Sequence, residues 1–514
     1  MAHLVDATKT VLGRISPTAL LLIVAALALG QVLSARYLTP LRKIPGPWLA
    51  SVTKLWKVHK TLQEHMEWEN IRLHQKYGPI VRIGPTEVSI DDPEESLRII
   101  YGPGSRYRKA RWYEASDPPG AHSLFTDSNI QRHAHDRRMV SAAFSMTAVM
   151  EMEDFISDCV TMFETRLGEF ADKKKPIDMA HWLQCYAFDV IGEVTFARRF
   201  GFLEKGEDVG DIMKTLDGFL SYSAKMGTIP ELHGPYTSVM SYLFPGSDPF
   251  RSLKEVCDLY ARGHFQHQPI FVESRVKDGA QHPDFLSRFI QAHNQKPNDF
   301  PMREVYKMCM VLVGAGSDTT AIALRAIVYF LCMNPEKLAK LRSEIDEADR
   351  TSRLSAVIKY REALKLPYLQ AVLKEAMRLH PSTGFTLARV VPEGGTVLLG
   401  YDLPEGTTVG INSWVAHRNE NVFGSDVESF IPERWLVSQE SVRKMDRYFL
   451  EFGLGARTCL GKNISLMEMS KVIPQIIRAF EIELVNPEEA WKTTNWWLVK
   501  QAAMDCFIKR RVKN

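Results

Sequence analysis

The sequence predicts a mainly α protein with a small β region, preceded by a single N-terminal transmembrane helix. Three observations predict it. From about residue 60 apolar residues recur at helical spacing, and only short pieces alternate like strands. No Gly/Ser linker, repeat or low-complexity tract follows residue 50, so residues 39–514 read as one large domain behind an anchor at 1–38. Residues 19–29, ALLLIVAALAL, are unbroken apolar sequence. The 514 residues are 45% hydrophobic and 24% charged, a globular composition. With 64 Lys+Arg against 61 Asp+Glu and no basic tract, nucleic acid is not an expected partner.

Taken in order, the anchor comes first. A bilayer crossing needs ~20 residues, so the apolar run must borrow its flanks, from Ile15 to Tyr37. A cleaved signal peptide is the competing reading, with Ala28-Leu29-Gly30 as its cleavage site. Seven cysteines, odd in number and never spaced C-x-x-C, speak for reduced thiols facing the cytosol. Arg36, Arg42 and Lys43 outnumber Lys9 and Arg14, which places the C-terminal side in the cytosol. Pro45 and Pro47 stiffen the exit.

Strand-like pieces follow at residues 80–83 and 86–90, and a second strand-rich patch at 386–409, with turns at 393–395 and 404–406. Residues 117–126, DPPGAHSLFT, lack periodicity and form a loop. Residues 303–332 predict one helix, ~45 Å long at 1.5 Å per residue, ending at Asn334-Pro335 and apolar on every face at its middle. Yet that middle reads GAGSDTT. Gly314 and Gly316 each cost up to ~1 kcal/mol against Ala, Asp318 needs a partner among apolar neighbours, and Thr319 and Thr320 can bond back to carbonyls one turn earlier. For one residue a packing notch suffices; together the unfavourable choices point to a functional site.

A helix at about 366–380 carries Glu375 and Arg378 on one face, which alone make a surface ion pair worth a few tenths of a kcal/mol. FIPERW, residues 430–435, adds Arg434 in a loop. FGLGARTCLG, residues 452–461, then sets Cys459 in a small loop with three glycines, two positions after Arg457. A buried thiol needs no such setting, whereas a metal ligand does. His264 and His267 are spaced closely enough for a metal but read as a surface or core pair. Asn463-Ile464-Ser465 matches a glycosylation sequon by chance.

AGSDTT, EAMR, FIPERW and FGLGARTCLG, in that order, resemble the cytochrome P-450 superfamily of haem-thiolate monooxygenases, over nearly the whole chain after the anchor. The loop pattern is met at Phe452, Gly455, Arg457, Cys459 and Gly461. RYRKARWY and ESFIPERW are most similar to fungal secondary-metabolism members of the pisatin-demethylase-like branch. The resemblance implies the P-450 fold and haem b, with Cys459 as axial ligand to the iron. A thiolate there pushes electron density toward oxygen, glycines let backbone N–H groups approach it, and the following helix offers its positive end. Phe452 packs beside the loop, and Arg457 meets a propionate. His133 takes the place of the family's propionate-binding tryptophan, with Arg137 retained four residues on, and Arg389 is a further propionate candidate. The notch around Ala315-Gly316 resembles the oxygen groove; Asp318 and Thr319 match the acid–alcohol pair that delivers protons. Glu375, Arg378 and Arg434 resemble a structural triad.

The implied function is an endoplasmic-reticulum-anchored monooxygenase. It oxidises a bulky apolar small molecule with dioxygen and electrons from an NADPH-dependent flavoprotein reductase, since no dinucleotide fingerprint occurs here. Arg443, Lys444, Arg447 and Lys462 are the expected basic docking patch. An apolar lid at about 201–250 adds a second membrane contact. Pocket-lining candidates include Trp112, Tyr113, Phe125, Val313, Phe385, Trp496 and Trp497. Two alternatives stand beside this reading: a haem-thiolate isomerase or dehydratase needing no reductase, against which Asp318 and Thr319 argue, and a non-catalytic haem-binding membrane protein.

Overall fold

A computed structural model describes residues 16–244, 275, 282–502 and 504–512. Its scaffold is the helix Met302–Met333, one residue longer at each end than the sequence predicts. Every side chain from Ala321 to Tyr329 is buried, and a helix apolar all round must be enclosed on all sides. Helices Met179–Phe196, Phe285–Gln295, Pro367–Leu379 and Lys462–Ala479 enclose it. It stops at Asn334, and Pro335 opens the next helix, Pro335–Arg350.

The principal sheet has five strands in the order Ile80–Gly84, Glu87–Ile90, Thr408–Gly410, Arg389–Val390 and Arg108–Lys109. Ile80 pairs with Ile90, and only the central pairing of Glu87–Ile90 with Thr408–Gly410 is parallel. The predicted turns hold Gly394, Gly395 and Gly406 at positive φ, the reason for glycine there. Strands also occur where the sequence reading placed none. Phe480–Leu484, Asp505–Arg510 and Ile177–Asp178 form a three-stranded sheet, and Lys492–Trp496 pairs with Leu498–Ala502 in a hairpin.

Glu375 and Arg378 lie in the core rather than on the surface, both side chains fully buried. Arg378 is bidentate to Glu375 at 2.9 and 2.8 Å, and Arg434 Nε donates to the same carboxylate at 2.9 Å. Arg378 also reaches the carbonyls of His417, Val427 and Ser429. The FIPERW segment is a short 3-10 turn, Pro432–Leu436, whose Trp435 indole donates to Glu375 at 2.9 Å.

The N-terminal helix is Pro17–Tyr37, capped by the Ser16 hydroxyl, with Leu21, Leu22, Leu27 and Leu29 exposed. Arg82 Nη2 donates to Ala35 O at 2.8 Å, tying its C-terminal end to the sheet. Among the described residues, Met302–Met333 alone is long and apolar enough to cross a membrane, and its place in the core accounts for that composition. His264, His267 and the end of the expected lid, 245–250, lie outside the described residues.

Candidate active site

The cysteine loop is closed by a backbone hydrogen bond from Cys459 N–H to Phe452 O, 2.8 Å. Gly455 has φ +64° and passes so close to Tyr101 O that an added Cβ would lie 1.8 Å from it, so no other residue fits. Gly461 is the N-cap of helix Lys462–Ala479. Backbone N–H groups of Gly461 and Lys462 pull the thiol pKa down, but burial, the larger effect, leaves it raised; Glu451 also raises it and Arg137 lowers it. Cys459 is nevertheless accessible to solvent, the one exposed cysteine among the described residues. A thiol surrounded by protein yet reached by water is open to a ligand on its exposed side. Phe452 packs on the main core, with Lys462 Nζ 5.5 Å above its ring.

Beside the loop the structure gathers cations. Lys109 lies directly opposite Arg389 in the antiparallel pair at the sheet edge, an arrangement that destabilises a sheet by itself. Burial first, then Arg389, Arg457 and Arg137, drives the Lys109 ammonium well below its usual range. Burial and Arg389 push Arg457 down to about 10. His133, 4% exposed, falls to about 3 through burial and the charges of Arg457, Lys109 and Arg137. Asp127, the carboxylate these groups feel, is already bidentate to Arg132 at 2.7 and 2.8 Å. Among the described residues no protein group accepts from Arg457 Nη1 or Nη2, both buried. Such a cluster fits a cofactor with two anionic arms, and a desolvated thiol beside it fits a soft metal at the cofactor's centre. Lys109 is the member that sequence reasoning missed. It lies in RYRKARWY, a phrase the sequence reading used only for its resemblance to one branch of the family.

Further along the central helix, Ala315 is exposed and Gly314, Gly316 and Thr319 half-buried, within an otherwise enclosed element. Thr319 Oγ donates to Ala315 O at 2.8 Å, the expected back-bond. Thr320 does not bond back; its hydroxyl meets Ser465 Oγ at 2.8 Å on the side of helix Lys462–Ala479. The two residues of the expected groove, Ala315 and Gly316, differ, and Gly316 is the closed one. Its missing side chain points at Ile191, where a Cβ would come within 2.7 Å of Cδ1, so Gly316 permits close helix packing and Ala315 forms the opening. Asp318, 1% exposed, accepts from Gln184 Nε2 at 2.6 Å and pairs with Lys500 Nζ at 2.7 Å. The helix and the cysteine loop are tied together through Ser382, whose hydroxyl lies 2.7 Å from Glu451 and 3.3 Å from Thr319 O.

Six of the seven expected lining residues form one aromatic group. Trp112 touches Tyr113, Phe385 and Trp497, with centroids 5.2, 5.7 and 6.0 Å away; Phe125 bridges Tyr113 and Trp497, and Trp496 packs against the same cluster. A separate polar cleft of about 480 Å³, lined by Arg111, His122, Asp127, Glu231 and His233 among others, contains neither Cys459 nor the central helix.

The cytochrome P450 family model matches residues 44–505. A pisatin demethylase of Fusarium vanettenii is 37% identical over 466 residues, 91% of this chain and 88% of that protein. Cytochrome P450 monooxygenase cicH of Emericella nidulans is 36% identical, over 92% and 94%. Cytochrome P450 monooxygenase gsfF of Penicillium aethiopicum is 35% identical, over 93% and 95%. A family match across nine-tenths of the chain, over a fold that sets an accessible cysteine near a buried arginine with no protein acceptor, has one meaning: the chain belongs to the cytochrome P450 family, monooxygenases whose haem iron is held by a cysteine thiolate.

Proposed function

We propose that Cys459 supplies that thiolate and that the protein oxidises a bulky, mostly apolar small molecule of fungal secondary metabolism. The carrying observation is the accessible Cys459 thiol at a helix N-terminus beside a buried cation cluster whose Arg457 lacks any protein acceptor. Bound there, haem supplies dioxygen activation at an electron-rich iron. Everything else falls to this chain's residues. The N–H groups of Gly461 and Lys462 hold negative charge on the Cys459 sulfur. Arg457, Arg137, Arg389 and the neutral His133 bind and orient the propionates, and Lys109, whose Nζ donates to Phe125 O, borders the cradle. Thr319 orders water in the opening beside Ala315. Asp318, at the buried end of an ion-pair chain, hands protons toward it from solvent. The aromatic group around Trp112 excludes water and grips the substrate by its rings.

Electrons come from a separate NADPH-dependent flavoprotein reductase. Arg443, Lys444 and Arg447, on helix Gln439–Tyr448 just before the cysteine loop in sequence, and Lys462, just after it, are all exposed and support an acidic partner. An endoplasmic-reticulum anchor is supported by the exposed leucines of helix Pro17–Tyr37. The apolar face of Leu232, Val239, Tyr242, Leu243 and Phe244 supports a second membrane contact. NADPH consumption by the haem-loaded chain with purified reductase, scored against candidate metabolites that displace haem-bound water, tests the reading. Rearrangement of a peroxide without reductase, or binding without turnover, would select an alternative.

A further inference from the structure

Lys500 is shared by two carboxylates on different elements. It stands on strand Leu498–Ala502, its side chain 16% exposed. On one side Nζ pairs with buried Asp318 of the central helix at 2.7 Å. On the other it hydrogen-bonds Asp217, 57% exposed, on helix Ile212–Thr228. The two contacts differ. Asp217 receives a directed hydrogen bond, whereas the approach to Asp318 Oδ2 is too oblique to count as one. Asp318 Oδ1 is held elsewhere, by Gln184, which Arg325 fixes in turn through further bonds to Ala180 O and Gln501 O. Oδ2 is therefore the one carboxylate oxygen whose restraint depends on a residue outside that frame.

Helix Ile212–Thr228 caps the aromatic group. It packs on the Arg111–Ser116 turn and on strand Lys492–Trp496, and Ser223 Oγ donates to Ala115 O. With this helix seated, Asp217 takes the ammonium's best hydrogen bond and leaves Asp318 Oδ2 able to take up and release a proton. With it displaced, Lys500 has a single carboxylate left and turns fully onto Asp318.

We propose that Lys500 is a positioning residue that couples the seating of helix Ile212–Thr228 over substrate to the freedom of Asp318 to move protons. This rests on the proton role of Asp318 given above. The coupling holds proton delivery back until the cavity is closed, when protons reach substrate chemistry rather than releasing hydrogen peroxide.

Competition for one ammonium makes a sign prediction that turnover is not needed to read. In the haem-loaded full chain, Asp318→Asn gives Lys500 wholly to Asp217, so amide hydrogen exchange across helix Ile212–Thr228 slows roughly 2- to 5-fold, the scale of a partly exposed ion pair. Asp217→Asn and Lys500→Met speed it, and Asp318→Asn added to Lys500→Met has no further effect. In turnover, Asp217→Asn lowers product per NADPH roughly 2- to 5-fold at unchanged substrate-binding spectra, and Lys500→Met abolishes that dependence on Asp217. Unchanged exchange in Asp318→Asn, with coupling to product lost, refutes the link and leaves the proton role standing. Slowed exchange with coupling intact refutes the proton role, and with it the part of Lys500 in turnover.

Discussion

Replacing Glu375 by glutamine keeps its shape and removes its charge. Five donors converge on this carboxylate. Oε1 accepts from Arg378 Nη2, Arg434 Nε and the Ile431 N–H, and Oε2 from Arg378 Nε and the Trp435 indole. An amide oxygen at Oε1 retains three of them, but its NH2 then faces the two donors at Oε2. Arg378, 0% exposed, loses its carboxylate countercharge, and Arg434, 8% exposed, keeps only Asp426 at 3.2 Å. Breaking a buried pair in this way costs about 3–5 kcal/mol, a large part of the 5–15 kcal/mol that typically separates folded from unfolded states. Thermal unfolding of the haem-loaded protein, followed by circular dichroism and by haem absorbance, reads the loss. Glu433→Gln is the control, because its partners Lys337 and Lys340 are half-exposed and such pairs are worth about 0–1 kcal/mol. If Glu375→Gln unfolds no earlier than Glu433→Gln, the triad does not hold this part of the fold.

Thr319→Ala should keep consuming NADPH but divert much of it to hydrogen peroxide, with coupled turnover down ~10- to 100-fold, or about 1.4–2.7 kcal/mol. Thr320→Ala, whose hydroxyl faces Ser465, should do less, and equal coupling in the Thr319 variant and the parent refutes the proton role. Deleting residues 1–38 should release the protein from membranes only in part, owing to the exposed Val239, Tyr242 and Phe244; a fully soluble product with unchanged activity on a lipophilic substrate counts against that contact. Burial holds His380 and His417 at about 3, below the ordinary 6.5, so between those values the unfolded chain binds more protons and stability drops as the pH is lowered. At pH 5 each histidine takes away roughly 2 kcal/mol, and His74, held at about 4 by burial, adds to the loss; Glu451 and Glu193, both raised to about 7 by burial, offset part of it by favouring the folded state at low pH. Stability that stays flat from pH 7 to about pH 4 would contradict this.

Long-range order in this sequence was legible where local rules broke together. GAGSDTT could be singled out because glycine, a carboxylate and two threonines are each costly in a buried helix, and the cysteine loop because three glycines surround one thiol. Position along a helix does not fix direction in space, however. Gly316 and Ala315 look equivalent in a string, yet one faces Ile191 and the other the cavity. Glu375 and Arg378 have the spacing of a surface pair, and only the segments folded over them make it a buried one. Lys500 was beyond reach, since its partners Asp318 and Asp217 lie far away in sequence. The terminal strands were missed for another reason: FEIEL alternates cleanly at 480–484, but its partner 505–510 follows only after an intervening hairpin.

The central claim is that Cys459, and no other group, holds the haem iron through its sulfur. The reduced carbon-monoxide difference spectrum reports axial ligation directly. The parent chain should show the long-wavelength band of thiolate ligation. Cys459→Ala should lose that band and all turnover, while keeping the far-UV circular dichroism of the folded protein. A thiolate band persisting in folded Cys459→Ala would contradict the account, because the ligand would then have to be another residue.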